Sequence, residues 1–159
     1  MIPVRLFVLG RLKEDYLRKA VDEYQKRLSR YCALETVELE PCRLPDNPSQ
    51  REKQAVLAKE AEKILAKIPE GAYVVSLCIE GKQLSSEEWA ERIETCAAEG
   101  RRLVLIVGSS FGLDESVKRR ADLRLSFSKM TFPHQLFRVL LLEQLYRAFQ
   151  INSGGEYHK

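Results

Sequence analysis

Leu103-Val-Leu-Ile-Val-Gly-Ser-Ser-Phe-Gly112 and Leu125-Ser-Phe-Ser-Lys-Met-Thr-Phe-Pro-His134 are the two stretches of this sequence that decide the fold. Each begins with apolar residues typical of a buried strand and continues into a loop rich in Gly, Ser or Thr. A helical pattern follows each loop. Loops after parallel strands meet at one edge of a sheet, where α/β proteins bind ligands. These two loops are therefore the first candidates for a binding site.

The rest of the chain repeats the same alternation of strand and helix. Short apolar segments predict buried strands at 2–9, 34–40, 73–79, 103–107 and 123–125. Amphipathic spacing and N-capping residues predict helices at 13–29, 49–67, 85–99, 114–120 and 134–150. Glu80-Gly-Lys82 predicts a turn that ends the third strand. The pattern predicts a single domain over 1–159, with an α/β fold and a mainly parallel sheet flanked by helices.

Composition excludes several classes of protein. The chain has 159 residues, 45% of them hydrophobic and 31% charged, as is ordinary for a soluble globular domain. Nothing approaches the roughly 20 apolar residues of a membrane span, and Arg5 interrupts the N-terminal apolar run, so we expect a cytoplasmic protein without a membrane partner. Four cysteines without a C-x-x-C pair and only two histidines predict neither a metal site nor a disulfide framework.

The charge distribution is compatible with a polyanionic partner. The net charge is only +3, but residues 101–159 carry ten Lys or Arg against five Asp or Glu. A solvated basic face explains such a modest excess equally well. Charge alone therefore leaves a nucleic-acid partner open.

Each candidate loop has two interpretations. The Gly108–Gly112 loop matches neither a dinucleotide-binding fingerprint nor a phosphate-binding P-loop, and a ligand contact and a tight turn fit it about equally. The loop over 127–133 interleaves Phe127, Met130 and Phe132 with hydroxyl residues. Such walls suit a flat heteroaromatic ring, but they also suit a loop that plugs the core.

The last helix and the C-terminal segment raise further alternatives. His134 at the helix start is expected to cap it, and Arg138, one turn later, is expected to face the 127–133 loop. The wide apolar stripe of this helix is either covered within the monomer or meets a second subunit. His158 lies in a segment where fraying is the default expectation.

Taken together, these segments resemble the RlmH group of SPOUT methyltransferases. The resemblance is carried by Leu125-Ser-Phe-Ser-Lys-Met-Thr-Phe-Pro-His-Gln135, Arg138-Val, Glu143-Gln-Leu-Tyr-Arg-Ala148 and Tyr157-His-Lys159. It implies an α/β fold with a C-terminal trefoil knot and S-adenosylmethionine as the cofactor. It also implies methylation of N3 of a pseudouridine in 23S rRNA on the assembled ribosome. The active form implied is a homodimer in which the partner subunit completes each site.

The resemblance also assigns site residues by position. It implies cofactor contacts at Leu77, Gly108, Phe127, Ser128, Lys129, Met130, Thr131 and Phe132, with Leu77 at the end of the third strand. One departure is Ser109, which stands where the family often has a second glycine. Candidates for handling the acceptor proton or anion are His134, Arg138, Tyr157 and His158, and none of the four is singled out as the general base.

Two rival hypotheses stay open at the level of sequence. One is a SPOUT enzyme that acts on another RNA, such as tRNA. The other is a non-catalytic α/β module that binds a ligand or RNA.

Overall fold

A computed structural model describes all residues from 1 to 159. Its ten elements alternate strictly between strand and helix, as the sequence predicts. In chain order they are β1 (Ile2–Leu9), α1 (Asp15–Leu28), β2 (Cys32–Leu39), α2 (Gln50–Leu65), β3 (Tyr73–Gln83), α3 (Ser86–Ala98), β4 (Leu103–Val107), α4 (Glu115–Arg120), β5 (Leu123–Ser126) and α5 (His134–Asn152). No helix combines the length and apolarity needed to cross a membrane.

The five strands form one sheet in the order β2-β1-β4-β3-β5, and every pair is parallel. The predicted α/β fold with a mainly parallel sheet is thus confirmed. Both faces of the sheet are covered, which is why the central strand β4 is apolar at every position. The carboxyl ends of β3, β4 and β5 consequently share one edge.

Alternate residues of each strand enter two separate cores. On β1, Leu6 packs in a core with α1, α3 and α5, whereas Phe7 packs in a second core with α2 and α4. Leu145 of α5 is fully buried in the first core, and Ile64 of α2 is almost fully buried in the second. Three helices therefore cover one face of the sheet and two cover the other.

Helix starts follow the capping residues of the sequence. Ser49 and Glu52 form a reciprocal capping box at the start of α2, and the Ser85 hydroxyl accepts a hydrogen bond from the Glu88 amide at the start of α3. Both starts were predicted from Ser followed three residues later by Glu. The largest shift at a strand start is at β2, which begins at Cys32, two residues before the predicted bound.

The predicted turn that ends the third strand is wrong. β3 continues to Gln83, and residues 78–81 bulge out between two stretches that both pair with β5 around Leu125. Gly81 permits this path because a Cβ there would lie 2.8 Å from the backbone of Arg124. Leu77 is accordingly not the end of the strand but the last residue of β3 paired with β4.

Candidate active site

A cavity of about 670 Å³ lies beyond the carboxyl ends of β3, β4 and β5. Three segments line it: residues 77–80 of the β3 bulge, the loop at 107–113, and most of 125–134. The two loops that the sequence singled out therefore meet at one site. A pocket at this edge is where open α/β sheets bind ligands.

The Gly108–Gly112 loop is a tight turn that also forms a wall of the cavity. The Gly112 amide donates to the Ser109 carbonyl at 2.9 Å, and Gly112 has a φ of +90°. A Cβ at Gly108 would lie 2.4 Å from the Gly112 carbonyl oxygen. The glycines are needed for this turn, so the tight-turn interpretation is confirmed, whereas a ligand contact at this wall of the cavity stays a prediction. Ser109 has no positive φ, which explains why serine is tolerated there.

The loop after β5 is held by its own hydroxyls. The Ser126 hydroxyl donates to the Ser128 carbonyl at 3.0 Å, and the Met130 amide donates to the Ser128 hydroxyl at 2.9 Å. The Phe127 ring packs at 4.8 Å from the Phe137 ring, between centroids. Of the cofactor contacts carried over from the resemblance, Lys129 alone does not line the cavity.

An ion pair at the cavity was missed by the sequence reasoning. Glu80, on the β3 bulge, pairs with Lys118 of α4, and both side chains line the cavity. The hydrogen bond from Lys118 lowers the pKa of Glu80 below its usual value, so this carboxylate stays ionised. The signal was hidden because the two residues are 38 positions apart and meet only through the bulge.

His134 lines the cavity but does not cap α5. It is the first residue of the helix, the N-cap is Pro133, and no side chain caps the helix start. The expectation of a histidine cap is therefore wrong, because the ring lies one position too late to accept from the following amides. Partial desolvation, followed by repulsion from Arg138 and Lys13, lowers the pKa of His134. The imidazole is thus held in its neutral form.

Arg138 points away from the cavity. Its guanidinium donates to the carbonyls of Leu9 and Gly10, at 3.1 and 2.7 Å, and lies 3.5 Å from Glu38. Its side chain is only 5% exposed. The expectation that Arg138 faces the 127–133 loop is wrong, because the i to i+4 step brings it over the end of β1 instead. Its role within this chain is to join α5 to the β1–β2 edge.

The C-terminal segment folds back onto α5 and α3 rather than fraying. The Tyr157 hydroxyl donates to Glu143 at 3.1 Å, and the Tyr157 ring packs under the guanidinium of Arg147 at 4.8 Å. His158 joins Arg147 through Nδ1 at 3.0 Å and Glu87 through Nε2 at 2.7 Å. Because arginine only donates, Nδ1 accepts and Nε2 carries the proton toward Glu87.

We call Glu143, Arg147, Tyr157 and His158 the acceptor cluster. Glu143 also accepts from Arg147, and both residues are partly buried. Burial, with the Tyr24 hydroxyl and the Glu143 carboxylate, raises the pKa of Tyr157, so its phenol stays protonated. In the sequence, Glu143 and Arg147 stand out only because they belong to a segment that carries the family resemblance. Their convergence with the C-terminal segment became visible only in the fold.

The acceptor cluster and the cavity are separate within one chain, because no residue of the cluster lines the cavity. His134 at the cavity and Glu143 in the cluster are nine residues apart on α5, a rise of roughly 14 Å at 1.5 Å per residue. We call the cavity and the acceptor cluster the two half-sites of the chain, and they lie at different points of α5.

Comparison with known proteins assigns the chain to a family. The family model described as a predicted SPOUT methyltransferase matches residues 2–158. The chain belongs to the SPOUT methyltransferase family. Two relatives of this SPOUT methyltransferase are proteins named ribosomal RNA large subunit methyltransferase H. The protein of Clostridium novyi is 51% identical and that of Clostridioides difficile 50%, each over 98% of this chain and 99% of the relative.

A solved structure supports the same fold. A probable methylase family protein from Haemophilus influenzae superposes with a TM-score of 0.54 over 99% of this chain and 70% of its own. At 13% identity this likeness shows the fold alone. The fold of this SPOUT methyltransferase therefore places its pocket-forming loops at the carboxyl edge of the sheet.

Proposed function

We propose that this chain transfers a methyl group from S-adenosylmethionine to N3 of a pseudouridine in 23S rRNA on the assembled ribosome. The observation that carries the proposal is the identity of about half of all residues, over nearly the full length, with the large-subunit rRNA methyltransferases. The cavity and the acceptor cluster supply the two kinds of chemistry that such a reaction needs. A ribosomal substrate would place the protein in the cytoplasm.

The cavity fits S-adenosylmethionine. Apolar walls from Leu77, Val107, Leu113 and Phe127 suit a flat adenine, and the tight turn at Gly108 brings backbone groups close to its edge. When bound, S-adenosylmethionine supplies a methyl group already activated by its sulfonium. The residues of the cavity then have to bind, orient and exclude water, which is a positioning task that needs no metal.

We infer that the chain forms the trefoil knot implied by the resemblance. β5 pairs with β3, so the connection from β4 through α4 crosses over β3 before the chain returns to α5 on the opposite face. The loop at 127–133 then lies against the 108–112 loop and the 78–81 bulge around one cavity. Threading of the chain beneath these neighbouring loops is rare in proteins and would fix them in one arrangement.

The acceptor cluster suits a base nitrogen that must lose a proton. Methylation at N3 replaces an N–H bond with an N–CH₃ bond, so the proton leaves and negative charge develops on the ring. The Arg147 guanidinium can stabilise this charge, and the protonated Tyr157 can donate to a ring carbonyl. Within the cluster, the Glu143 carboxylate is the acceptor for this proton, because the Nδ1 lone pair of His158 is occupied by Arg147 and its Nε2 already carries a proton toward Glu87. Because Arg138 is engaged with β1, the anion-stabilising role passes to Arg147.

The separation of the two half-sites supports a homodimer. The outer face of α5 carries Leu136, Val139 and Leu140, which are only partly covered, in line with Glu143 and Arg147 at helical spacing. If two copies pack antiparallel along this face, the second half of one helix lies beside the first half of the other. The partner's acceptor cluster would then sit over the cavity at His134.

Methyl transfer to ribosomes tests the reaction. Radiolabelled S-adenosylmethionine is incubated with the protein and with intact ribosomes, naked 23S rRNA or tRNA. The expected result is label in 23S rRNA from intact ribosomes only, at a position that mass spectrometry identifies as N3-methylpseudouridine. Equal labelling of tRNA or naked rRNA would overturn the proposed substrate.

Subunit mixing tests the shared site. Gly108→Val disables the cavity and deletion of residues 157–159 disables the acceptor cluster, so each variant alone is expected to be inactive. In a mixed dimer, one intact cavity meets one intact C-terminal segment, and activity returns. Continued inactivity in dimers shown by native mass spectrometry to be mixed would mean that both half-sites act within one chain.

A further inference from the structure

Two charged side chains in the cavity are not explained by the binding of an adenine. Apart from the neutral His134, all other side chains that line the cavity are uncharged, and Glu80 and Lys118 stand alone as groups of fixed charge. Lys118 is 18% exposed at its side chain and contacts Glu80 across the cavity wall. Charge placed inside a mostly apolar pocket normally matches charge on its ligand.

The bulge of β3 sets the position of the Glu80–Lys118 pair at the cavity. Residues 78–81 leave the sheet between Leu77 and Lys82, and this excursion carries Glu80 over the cavity. The tight packing of Gly81 against Arg124 fixes the path of the bulge. Lys118 comes from α4, a short helix whose start is capped by Asp114.

The methyl donor carries opposite charges at one end. Its methionine part ends in an α-carboxylate and an α-ammonium on one carbon, whereas its adenosine part is uncharged. We propose that Lys118 binds the carboxylate and Glu80 binds the ammonium of this amino-acid end. The proposal rests on the proposed function, since it concerns the same donor. It means that the pair makes the cavity select ligands with an intact amino-acid end over nucleosides that lack it.

The arrangement explains why the two residues are paired with each other before a ligand enters. The Lys118 side chain is only 18% exposed, so a lone cation there would be poorly solvated, and the pair with the 56% exposed Glu80 reduces that cost. When a zwitterion binds beside them, each side chain keeps its partner and gains one ligand group of opposite charge. Charge-assisted hydrogen bonds of this kind are stronger than neutral ones and directional.

Two ligands separate the amino-acid end from the nucleoside. S-adenosylhomocysteine has the zwitterion and no sulfonium, and 5′-methylthioadenosine has the same nucleoside and thioether without the amino-acid end. Calorimetric titration measures both ligands on the wild type, Lys118→Met, Glu80→Gln and the control Arg119→Met. Arg119 lies on the same helix, is exposed and does not line the cavity, so it controls for general loss of positive charge.

We expect Lys118→Met and Glu80→Gln each to weaken S-adenosylhomocysteine by about tenfold, which corresponds to the loss of one charge-assisted bond. Binding of 5′-methylthioadenosine should stay within about twofold in both variants, and Arg119→Met should leave both ligands unchanged. Retained binding of the truncated ligand also shows that the cavity is still folded.

Three outcomes would overturn the assignment. Equal weakening of both ligands would place the pair at the nucleoside or in the framework of the pocket. Unchanged binding of S-adenosylhomocysteine in both variants would exclude contact with the amino-acid end. Equal losses in Arg119→Met would reduce the effect to net charge. Failure of the wild type to bind either ligand is a different result, because it would overturn the methyl donor of the proposed function itself.

Discussion

Replacing Arg138 and Arg147 in turn by methionine distinguishes a residue that stabilises the fold from one that takes part in the reaction. Both arginines lie on α5 and both pair with a glutamate. In the sequence, Arg138 and not Arg147 is a candidate for the reaction. Only their surroundings differ. The Arg138 side chain is 5% exposed and donates to two backbone carbonyls, whereas that of Arg147 is 24% exposed and pairs with Glu143 one turn away.

The expected loss of stability follows from these contacts. Arg138→Met removes two charge-assisted bonds and leaves the carbonyls of Leu9 and Gly10 without this donor. At about 1.5–3 kcal/mol for each such bond, the free energy of unfolding should fall by about 3–6 kcal/mol. The Glu143–Arg147 pair within one helix contributes about 0.5 kcal/mol, and the contacts of Arg147 with His158 and the Tyr157 ring add to it, so Arg147→Met should cost about 1–2 kcal/mol.

Urea unfolding followed by fluorescence of Trp89 measures both losses, since this buried residue is the single tryptophan of the chain. Methyl transfer to ribosomes is measured in parallel, below the unfolding transition. We expect Arg138→Met to be unstable but active in its folded fraction, and Arg147→Met to be stable but inactive. A stable, inactive Arg138→Met protein would refute the structural role and return this residue to the chemistry.

Three further predictions concern the cavity, the C-terminal segment and a buried acid. Deletion of residues 157–159 should abolish methyl transfer yet leave the affinity for S-adenosylhomocysteine unchanged in calorimetry; lost affinity would make the segment part of the donor site. Gly108→Ala should weaken that ligand at least about tenfold, because the added Cβ meets a backbone oxygen at 2.4 Å, while Ser109→Gly should bind normally; equal affinities would contradict the packing. Burial raises the pKa of Glu60 above 4.5, so the folded state retains its proton longer than the unfolded state. The unfolding free energy of the wild type relative to Glu60→Gln should therefore fall as the pH rises above 4.5 in urea titrations, whereas parallel pH curves would exclude this burial effect.

Local patterns predicted most of the architecture. The apolar runs at β1 and β4 and the Ser-x-x-Glu starts of α2 and α3 each act over a few residues, and the structure places these elements close to the predicted bounds. The predicted turn at Glu80–Lys82 failed for a different reason. Glycine and charge there do mark a departure from regular pairing, but whether a chain turns or bulges depends on the neighbouring strand, which sequence patterns do not contain.

Predictions about the site failed where they depended on the direction in which a side chain points. Helical spacing correctly placed Arg138 one turn after His134. It did not reveal that the end of β1 offers two carbonyl acceptors to the Arg138 guanidinium. The pairing of Glu80 with Lys118 and the convergence of Tyr157 on Glu143 join residues far apart in sequence. The first contact depends on the bulge of β3 and the second on the fold-back of the C-terminal segment, and local sequence patterns contain neither.

The long helix α5 carries residues of both half-sites and therefore sets the distance between them. One helix carries His134 at the cavity and Glu143 and Arg147 at the acceptor cluster, with the fully buried Leu141 and Leu145 anchoring it to the core between them. A rigid helix keeps the backbone positions of His134 and Glu143 at a constant separation of roughly 14 Å along its axis. In the homodimer that we propose, an antiparallel pair of such helices would form two complete sites, each built from a donor cavity and the partner's acceptor cluster. A chain with a net charge of only +3 could then rely on the shape of a dimer against a structured substrate, with few contacts to phosphates.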